Sequence, residues 1–260
     1  MKIMMTGHSG LIGTELQERF KENDMCLVDR ENDHDIIPFK KLVVDNPDVI
    51  IHLASNCMIR EIIKDPDLMA ENVWATYQVY EAARKTGCKK VVYFSSSRVN
   101  HDTYTPYTAG KMFGEHLAKA YKECYDIETL IIRPETVWDV KEKKDRVIPL
   151  WIKNAQNDAK ITVYGGYRKI LSPIHVKDFC DAFMVFFENF MNDDLDEKIW
   201  SISGYPLSAK EVTDIILNVT GSKSEVEYLE PETGQPQGFE MEENHAFGKV
   251  GFEEALKREL

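Results

Sequence analysis

The chain has 260 residues, 43% of them hydrophobic, and this length suits one large domain or one domain with a smaller lobe. Its formal net charge of -12, from 44 acidic and 32 basic residues, repels phosphate backbones and anionic lipids, so nucleic acid and membrane partners are not expected. No apolar run reaches the length of a membrane span and no charged leader opens the sequence, so we expect a cytoplasmic protein.

Strand and helix patterns alternate through the first half of the chain. The strand patterns are short apolar runs, and the helix patterns repeat apolar residues every three or four positions. Such alternation predicts an α/β fold with a doubly wound parallel sheet of the Rossmann type. The predicted strands are Lys2 to Met5, Met25 to Val28, Val49 to Leu53, Lys90 to Phe94 and Glu128 to Ile132, and the predicted helices are Leu11 to Phe20, Asp67 to Lys85 and Tyr107 to Tyr125.

This alternation ends after Arg133 and Pro134, where the pattern predicts only scattered short elements and a turn at Gly165 and Gly166. One clear helix follows, starting at Ser208, which has capping-box spacing to Glu211. We therefore predict a dinucleotide-binding domain over residues 1–135, with residues 172–200 packing back on it. Residues 136–260 are predicted to form a smaller α/β substrate-binding lobe.

Three glycines, Gly7, Gly10 and Gly13, lie where the first strand passes into the first helix. Backbone amides there, with Leu11 and Ile12 in the first helical turn, can meet a pyrophosphate without interference from a Cβ atom. An ordinary glycine turn that opens a helix is the alternative. The position between strand and helix favours a dinucleotide site.

Asp29 ends the second predicted strand, about twenty residues after the glycines. A carboxylate at this position accepts hydrogen bonds from the adenosine ribose and repels a 2'-phosphate, which favours NAD over NADP. NADP remains the alternative cofactor, because the guanidinium of the neighbouring Arg30 could bind that phosphate if Asp29 turned away.

Tyr107 and Lys111 are four residues apart on a predicted helix and so project from the same face. A nearby ammonium favours the phenolate form, which can accept a hydroxyl proton in general acid/base catalysis. A chance pair is the alternative. The pair opens the helix that follows the serines Ser95 to Ser97, at the carboxyl end of a strand, and this position favours a catalytic role.

No metal site is predicted. The five cysteines have no CxxC spacing, and the histidines show no paired ligand spacing on one helix face.

Together these residues resemble the extended short-chain dehydrogenase/reductase family, in particular its NAD-dependent nucleotide-sugar epimerases and dehydratases. The matching motifs follow the family's order along most of the chain. They are Thr6-Gly7-x-x-Gly10-x-x-Gly13, Pro47 to Ala54, Asn72 with Glu81 to Arg84, Phe94 to Ser97, Tyr107-x-x-x-Lys111, Arg133-Pro134 and Ile174-His175-Val176-x-Asp178.

The resemblance implies that Tyr107 is the acid/base, that Lys111 holds the nicotinamide ribose and tunes Tyr107, and that Ser97 binds the reacting hydroxyl, with Ser96 as the alternative. His52 and His175 are expected to be structural. Further implied cofactor contacts are Asp35 and Ile36 at adenine, Leu53 and Ala54 along the cofactor, and Asn72 near its phosphates or the active-site backbone.

The sequence departs from the family's pattern where substrate phosphates bind. The usual asparagine is replaced by Thr136, and the usual arginine aligns near Leu171, with Arg168 as the nearest guanidinium. The connection from Ser97 to Tyr107 is also shorter than is typical. Ser97, Thr136 and Arg168 are the predicted substrate-binding residues, although weaker phosphate anchors count against a nucleotide-sugar substrate.

The leading functional prediction is an NAD-dependent epimerase of a nucleotide-activated sugar, paired as a homodimer through its long helices. Dehydration is disfavoured because no Asp-Glu pair follows Ser97. The alternatives are an NAD(P)-dependent dehydrogenase or reductase of a sugar, which would use the same side chains, and a cofactor-binding sensor without catalysis, which would not need them.

Overall fold

A computed structural model describes residues 1–29, 46–101, 103–142, 144–235 and 243–260. Within these ranges the chain divides into two compact units. The first contains Met1–Val99, Tyr104–Arg133 and Met184–Trp200, and the second contains Asn100–Thr103, Pro134–Phe183 and Ser201–Leu260. None of the helices described in these ranges combines the length and apolar character that a membrane span requires.

The described elements alternate between strand and helix from the N-terminus onward. In chain order they are β1 (Lys2–Thr6), α1 (Leu11–Arg19), β2 (Asp24–Val28), β3 (Val49–His52), α2 (Ile59–Lys64), α3 (Asp67–Thr86), β4 (Lys90–Phe94), a 3-10 helix (Ser97–Asn100), α4 (Pro106–Tyr125), β5 (Glu128–Pro134), β6 (Thr136–Trp138), α5 (Val147–Gln156), β7 (Ile161–Tyr164), β8 (Ile170–Leu171), β9 (Pro173–His175), α6 (Val176–Met191), β10 (Ile199–Ser203), β11 (Leu207–Ser208), α7 (Ala209–Thr220), β12 (Val226–Leu229), β13 (His245–Phe247) and α8 (Phe252–Glu259).

The main sheet has seven strands in the order β13-β10-β5-β4-β3-β1-β2. Its strands are parallel: β1 pairs with both β2 and β3, in registers that place Ile3 opposite Val49, and β4 pairs with β5 so that Phe94 lies opposite Ile132. The chain order reverses beside β1, which is the arrangement of a doubly wound sheet. The predicted fold class is confirmed.

Burial explains why the strands were recognisable. All four residues of β3 are buried, as are the last four of β1 and of β4. A parallel sheet covered by helices on both faces needs apolar side chains at consecutive positions, so its strands appear as unbroken apolar runs.

The chain after Arg133 contains more helix than predicted. The expectation of only scattered short elements after Arg133 is wrong, because α5 and the 16-residue α6 lie there. In α6 the spacing of Phe179, Phe183, Phe187 and Phe190 aligns four fully or nearly fully buried aromatic rings. The helical period is present in the sequence, but the segment contains so many apolar residues that the period does not stand out.

The predicted capping box at α7 is confirmed. The Ser208 hydroxyl accepts from the Glu211 backbone N–H, and the Glu211 carboxylate accepts from the Ser208 backbone N–H. Both glycines of the predicted turn have positive φ, 102° at Gly165 and 77° at Gly166. Residues other than glycine rarely adopt this backbone conformation.

Candidate active site

The glycine loop connects β1 to α1 and is shaped by contacts between backbones. Gly7 has φ of 74°, and a Cβ atom added there would lie 2.5 Å from the backbone nitrogen of Ala54. A Cβ added at Gly13 would lie 2.4 Å from the carbonyl oxygen of Gly7. Both glycines are therefore required by the fold itself.

Gly10 differs from the other two glycines. A Cβ atom at Gly10 would meet only the carbonyl oxygen of Gly7, at 3.3 Å, so internal packing demands less of this position. Gly10 is the N-cap of α1, and it contributes no side-chain cap. Its missing side chain leaves the helix N-terminus open to a bound group.

The first turn of α1 suits an anion. The backbone N–H groups of Leu11, Ile12 and Gly13 precede any helical carbonyl that could accept from them, and the first turn has no acidic side chain. These donors and the positive end of the helix dipole favour a phosphate group. The loop therefore fits the pyrophosphate of a dinucleotide.

Asp29 follows β2 and lies against the same loop. Its Oδ2 atom accepts from the backbone N–H of Ser9 at 3.0 Å and from the Ser9 hydroxyl at 2.6 Å. The carboxylate is thus held beside the glycines, where a ribose would extend from the pyrophosphate. Three predicted cofactor contacts, Arg30, Asp35 and Ile36, lie outside the described residues.

The carboxyl end of β3 forms the neighbouring edge of the loop. The Leu53 N–H donates to the carbonyl of Thr6 at 3.0 Å, and the Ala54 backbone lies under Gly7. Asn72 on α3 holds the chain that follows: its Oδ1 accepts from the Asn56 N–H at 2.7 Å, and its Nδ2 donates to the Asn56 carbonyl at 2.9 Å. Asn72 thus fixes loop backbone at the candidate site.

Local sequence fixes where α4 begins. Pro106 occupies the first helical turn, and the Thr105 hydroxyl accepts from the Thr108 N–H at 3.2 Å while the Thr108 hydroxyl accepts from the Thr105 N–H at 2.8 Å. This capping box starts the helix one residue before Tyr107. Tyr107 is therefore held in the first turn of a 20-residue helix.

Tyr107 and Lys111 share one buried face of α4, as their spacing predicts. Lys111 Nζ lies 5.8 Å from the centroid of the Tyr107 ring and donates to the carbonyl of Phe94 at 2.8 Å. Burial lowers the pKa of the Lys111 ammonium to about 8, against the opposing effects of Cys57 and Glu115. Lys111 thus remains mainly cationic at neutral pH.

The three serines after β4 have different surroundings, although all are buried. Ser95 donates to the Glu115 carboxylate at 2.5 Å, and the Ser96 hydroxyl accepts from the Arg98 N–H at 3.3 Å. Ser97 begins the 3-10 helix. The Ser95 hydroxyl is therefore already bonded to a carboxylate, whereas Ser97 lies two residues further along the chain, in the 3-10 helix.

A partly buried ion pair beside these serines, between Glu115 and Arg133, was not among the predicted site residues. Arg133 donates to Glu115 through Nε at 2.9 Å and through a terminal nitrogen at 2.7 Å. Glu115 lies four residues beyond Lys111, so helical spacing could have placed it on the same face. Its partner Arg133 comes from another element, and only the fold reveals that contact.

His52 is structural in this arrangement. Its Nδ1 lies 2.7 Å from the Thr6 hydroxyl, and its Nε2 lies 3.1 Å from the Thr76 hydroxyl. Because the Thr76 hydroxyl donates to the Asn72 carbonyl, the imidazole proton belongs on Nε2. Burial and the charge of Lys111 lower the pKa of His52 to about 3, so the ring is neutral.

The predicted substrate residues Thr136 and Arg168 belong to the second unit. Thr136 is half-buried at the start of β6, where it lies opposite Pro173 of β9. Arg168 is exposed, with its guanidinium carbon 5.2 Å from the centroid of the Tyr167 ring.

A second cluster of ligand-type side chains lies in the second unit. Asp139, His175 and Glu259 offer atoms within 4.8 Å of one another. The Lys177 N–H donates to Nδ1 of His175 at 3.4 Å, which places the proton of the neutral ring on Nε2, facing both carboxylates. The Lys177 ammonium also lies 3.1 Å from Glu259. This geometry favours an ion-pair cluster over a metal centre.

Comparisons with known proteins identify the family. Residues 3–202 match the model of the NAD dependent epimerase/dehydratase family. The low-salt glycan biosynthesis protein Agl12 of Haloferax volcanii is 27% identical over 239 residues, a match that covers 86% of this chain and 73% of the relative. A putative UDP-glucose 4-epimerase of Methanocaldococcus jannaschii is 25% identical over 271 residues, covering 90% and 87%.

Solved structures share the fold. The UDP-glucose 4-epimerase of Thermotoga maritima, crystallised with UDP-glucose, superimposes with a TM-score of 0.87 at 17% identity, covering 100% of this chain and 97% of that structure. The family model spans most of the sequence, from β1 into β10. The chain therefore belongs to the NAD dependent epimerase/dehydratase family, as its motifs predict, and is an NAD-dependent enzyme.

Proposed function

We propose that the protein is an NAD-dependent epimerase of a nucleotide-activated sugar, working through a keto intermediate with Tyr107 as acid/base. The observation that carries this proposal is the buried pair of Tyr107 and Lys111 at the start of α4, with the Lys111 ammonium 5.8 Å from the phenol ring. An ammonium so close to a phenol favours the phenolate, which is the form that accepts a hydroxyl proton.

The first unit supplies a matching set of cofactor contacts. In our proposal the open N-terminus of α1, with Gly10, Leu11, Ile12 and Gly13, binds the pyrophosphate, and Asp29 binds the adenosine ribose. Leu53 and Ala54 flank the cofactor, Asn72 fixes their loop, and Lys111 binds the nicotinamide ribose. NAD held by these residues would supply the redox chemistry, the removal and return of a hydride at a sugar carbon.

The protein's own side chains then move and hold the proton. Tyr107 takes the proton of the sugar hydroxyl as the carbon is oxidised, and returns it after the keto sugar has turned its other face. Ser97 donates a hydrogen bond to the reacting oxygen, and Lys111 stabilises the charged phenolate. With its pKa at about 8, Lys111 is about nine-tenths protonated at pH 7.

Relatives whose names specify UDP-glucose 4-epimerases support a nucleotide sugar as the substrate class. We assign the second unit to substrate binding, with Thr136 and Arg168 as contacts to the substrate's phosphates. Because Thr136 and Arg168 are weak phosphate-binding residues, a sugar dehydrogenase or reductase remains the alternative. That reaction would use the same Tyr107 and Lys111 but would need a new cofactor molecule for each turnover.

We also propose a cytoplasmic homodimer. Trp74 and Tyr77 on α3 are 48% and 37% exposed, and their rings lie tilted against each other with centroids 5.3 Å apart. Two adjacent, partly exposed aromatic rings are typical of residues covered in a subunit interface. Light scattering coupled to size-exclusion chromatography tests this assembly.

The proposed activity is tested by incubating purified protein with UDP-, GDP-, dTDP- and CDP-sugars without added cofactor, followed by chromatography and mass spectrometry. We expect an isomer of unchanged mass, absent with Tyr107→Phe. The matched control is Tyr104→Phe, which removes the same hydroxyl from a side chain that is 81% exposed and should leave the rate unchanged. A reaction that requires stoichiometric NAD or NADPH would replace the epimerase proposal with the dehydrogenase or reductase.

A further inference from the structure

We propose that Glu115 is a positioning residue for Lys111: its carboxylate, held in one orientation by Arg133 and Ser95, keeps the lysine charged and in place beside Tyr107. This inference deepens the proposed function and rests on the role given there to Lys111. It assigns a purpose to the arginine of the Arg133-Pro134 motif, which the acid/base chemistry itself does not use.

The geometry joins three elements at the carboxyl edge of the sheet. Strands β4 and β5 are neighbours, and the Ser95 N–H donates to the Ile132 carbonyl at 2.8 Å. Ser95 directly follows β4, and Arg133 is the second-last residue of β5. Glu115 on α4 reaches both. It accepts from the Ser95 hydroxyl at 2.5 Å and from two nitrogens of Arg133 at 2.9 and 2.7 Å. Two adjacent strand ends therefore fix this carboxylate.

The same strand end also holds Lys111, one helical turn earlier. Lys111 Nζ donates to the Phe94 carbonyl, whereas the next residue, Ser95, donates to Glu115. The last residue of β4 and the residue that follows it thus bind successive turns of α4. Rotation or sliding of the helix would break both contacts together, so this pair of bonds fixes the position of Tyr107 and Lys111.

Charge gives Glu115 a second effect on Lys111. The lysine is 8% exposed and Glu115 is 7% exposed, so water screens their interaction poorly. Burial lowers the pKa of Lys111, and the Glu115 carboxylate opposes that effect. The titratable groups facing Lys111 are His52 from β3, Cys57 from the following loop, Tyr93 from β4, and Tyr107 and Glu115 from α4.

A bidentate arginine fixes the orientation of the carboxylate and offsets the cost of burying it. An unpaired buried carboxylate would be costly and would take up a proton. Arg133 meets both carboxylate oxygens, and such fork-shaped pairing fixes orientation as well as charge. Glu115 therefore faces Lys111 with its carboxylate held in one orientation.

The experiment measures the pKa of Lys111 directly, by NMR titration of protein labelled with 13C at the lysine Cε, with Lys111→Arg assigning the signal. We expect Glu115→Gln to lower this pKa by about one unit or more, because a nearby opposite charge is lost. Glu115→Asp keeps the charge and should restore most of the shift. If the single variant fails to fold, Glu115→Gln combined with Arg133→Met replaces the whole buried pair and should also lower the pKa.

The matched control is Glu81→Gln. Glu81 likewise accepts from two nitrogens of one arginine, Arg84, at 2.8 and 2.9 Å, and from the Tyr121 hydroxyl, but it is not among the groups that face Lys111. It should leave the pKa of Lys111 unchanged. A folded Glu115→Gln protein with an unaltered Lys111 pKa would overturn this inference. The titration needs no turnover, so it is independent of the nucleotide-sugar assay that decides the proposed function.

Discussion

Replacing Lys111 with methionine should make the protein more stable while abolishing its proposed activity. Lys111 is a buried cation whose pKa falls from 10.5 in an exposed lysine to about 8 in the folded protein. Methionine has a similar length and no charge, so it fills the space without the cost of burying an ammonium.

The size of the effect follows from that pKa. A difference of about 2.5 units corresponds to about 3.4 kcal/mol, the amount by which the folded state disfavours the charged lysine. The variant also loses the hydrogen bond to the Phe94 carbonyl, worth about 1 kcal/mol. We therefore expect Lys111→Met to raise the free energy of unfolding by about 2 kcal/mol at pH 7.

The gain should depend on pH in one direction. Between pH 8 and 10.5 the unfolded wild-type chain binds more protons than the folded one, so wild-type stability rises with pH across this window. The advantage of methionine is complete below pH 8 and disappears as the pH approaches 10.5. Urea unfolding at pH 7 and pH 10 measures it, with the exposed Lys119→Met on the same helix as control. A variant that is less stable at pH 7, or a gain independent of pH, would refute the reasoning.

Three further predictions concern other parts of the first unit and α8. Gly13→Ala should lower the free energy of unfolding by more than about 2 kcal/mol, because its Cβ would lie 2.4 Å from a carbonyl oxygen, and should abolish NAD binding in a fluorescence titration. The control Gly251→Ala places its Cβ in open space and should lower the free energy of unfolding by about 1 kcal/mol or less. His52, with its pKa lowered to about 3, should make the protein lose up to about 5 kcal/mol of stability as the pH falls from 6.5 to 3, and His52→Gln should flatten that acid limb in pH-dependent thermal unfolding. Ser97→Ala should lower kcat by about 10-fold or more while Ser96→Ala leaves it within a few-fold, and the opposite ranking would move the hydroxyl-binding role to Ser96.

The sequence predicted those elements whose burial leaves a simple pattern. Strand β4 begins and ends where its apolar run does, at Lys90 and Phe94, and α3 differs from its predicted range by a single residue, Thr86. Both are regular elements, and the repeat of their apolar residues is sufficient to predict where they begin and end. Helix α6 was missed because its buried phenylalanines lie within a segment too apolar for the period to stand out.

The sequence alone could not predict contacts between residues that are far apart along the chain. Glu115 and Arg133 are 18 residues apart and lie on different elements, so their pairing depends on how α4 packs on the sheet. The hydrogen bonds from Ser9 to Asp29 likewise require the loop and β2 to be placed first. Motif spacing predicted the candidate site residues, and the structure adds the contacts that hold those of the first unit.

The most direct test of the proposed chemistry is to run the nucleotide-sugar reaction in D2O and analyse the purified product by mass spectrometry. If the hydrogen leaves and returns as a hydride on enzyme-bound NAD, the product will contain no deuterium bound to carbon. Deuterium on the inverted carbon would show that Tyr107 or another base removes a proton from carbon, and would contradict the account.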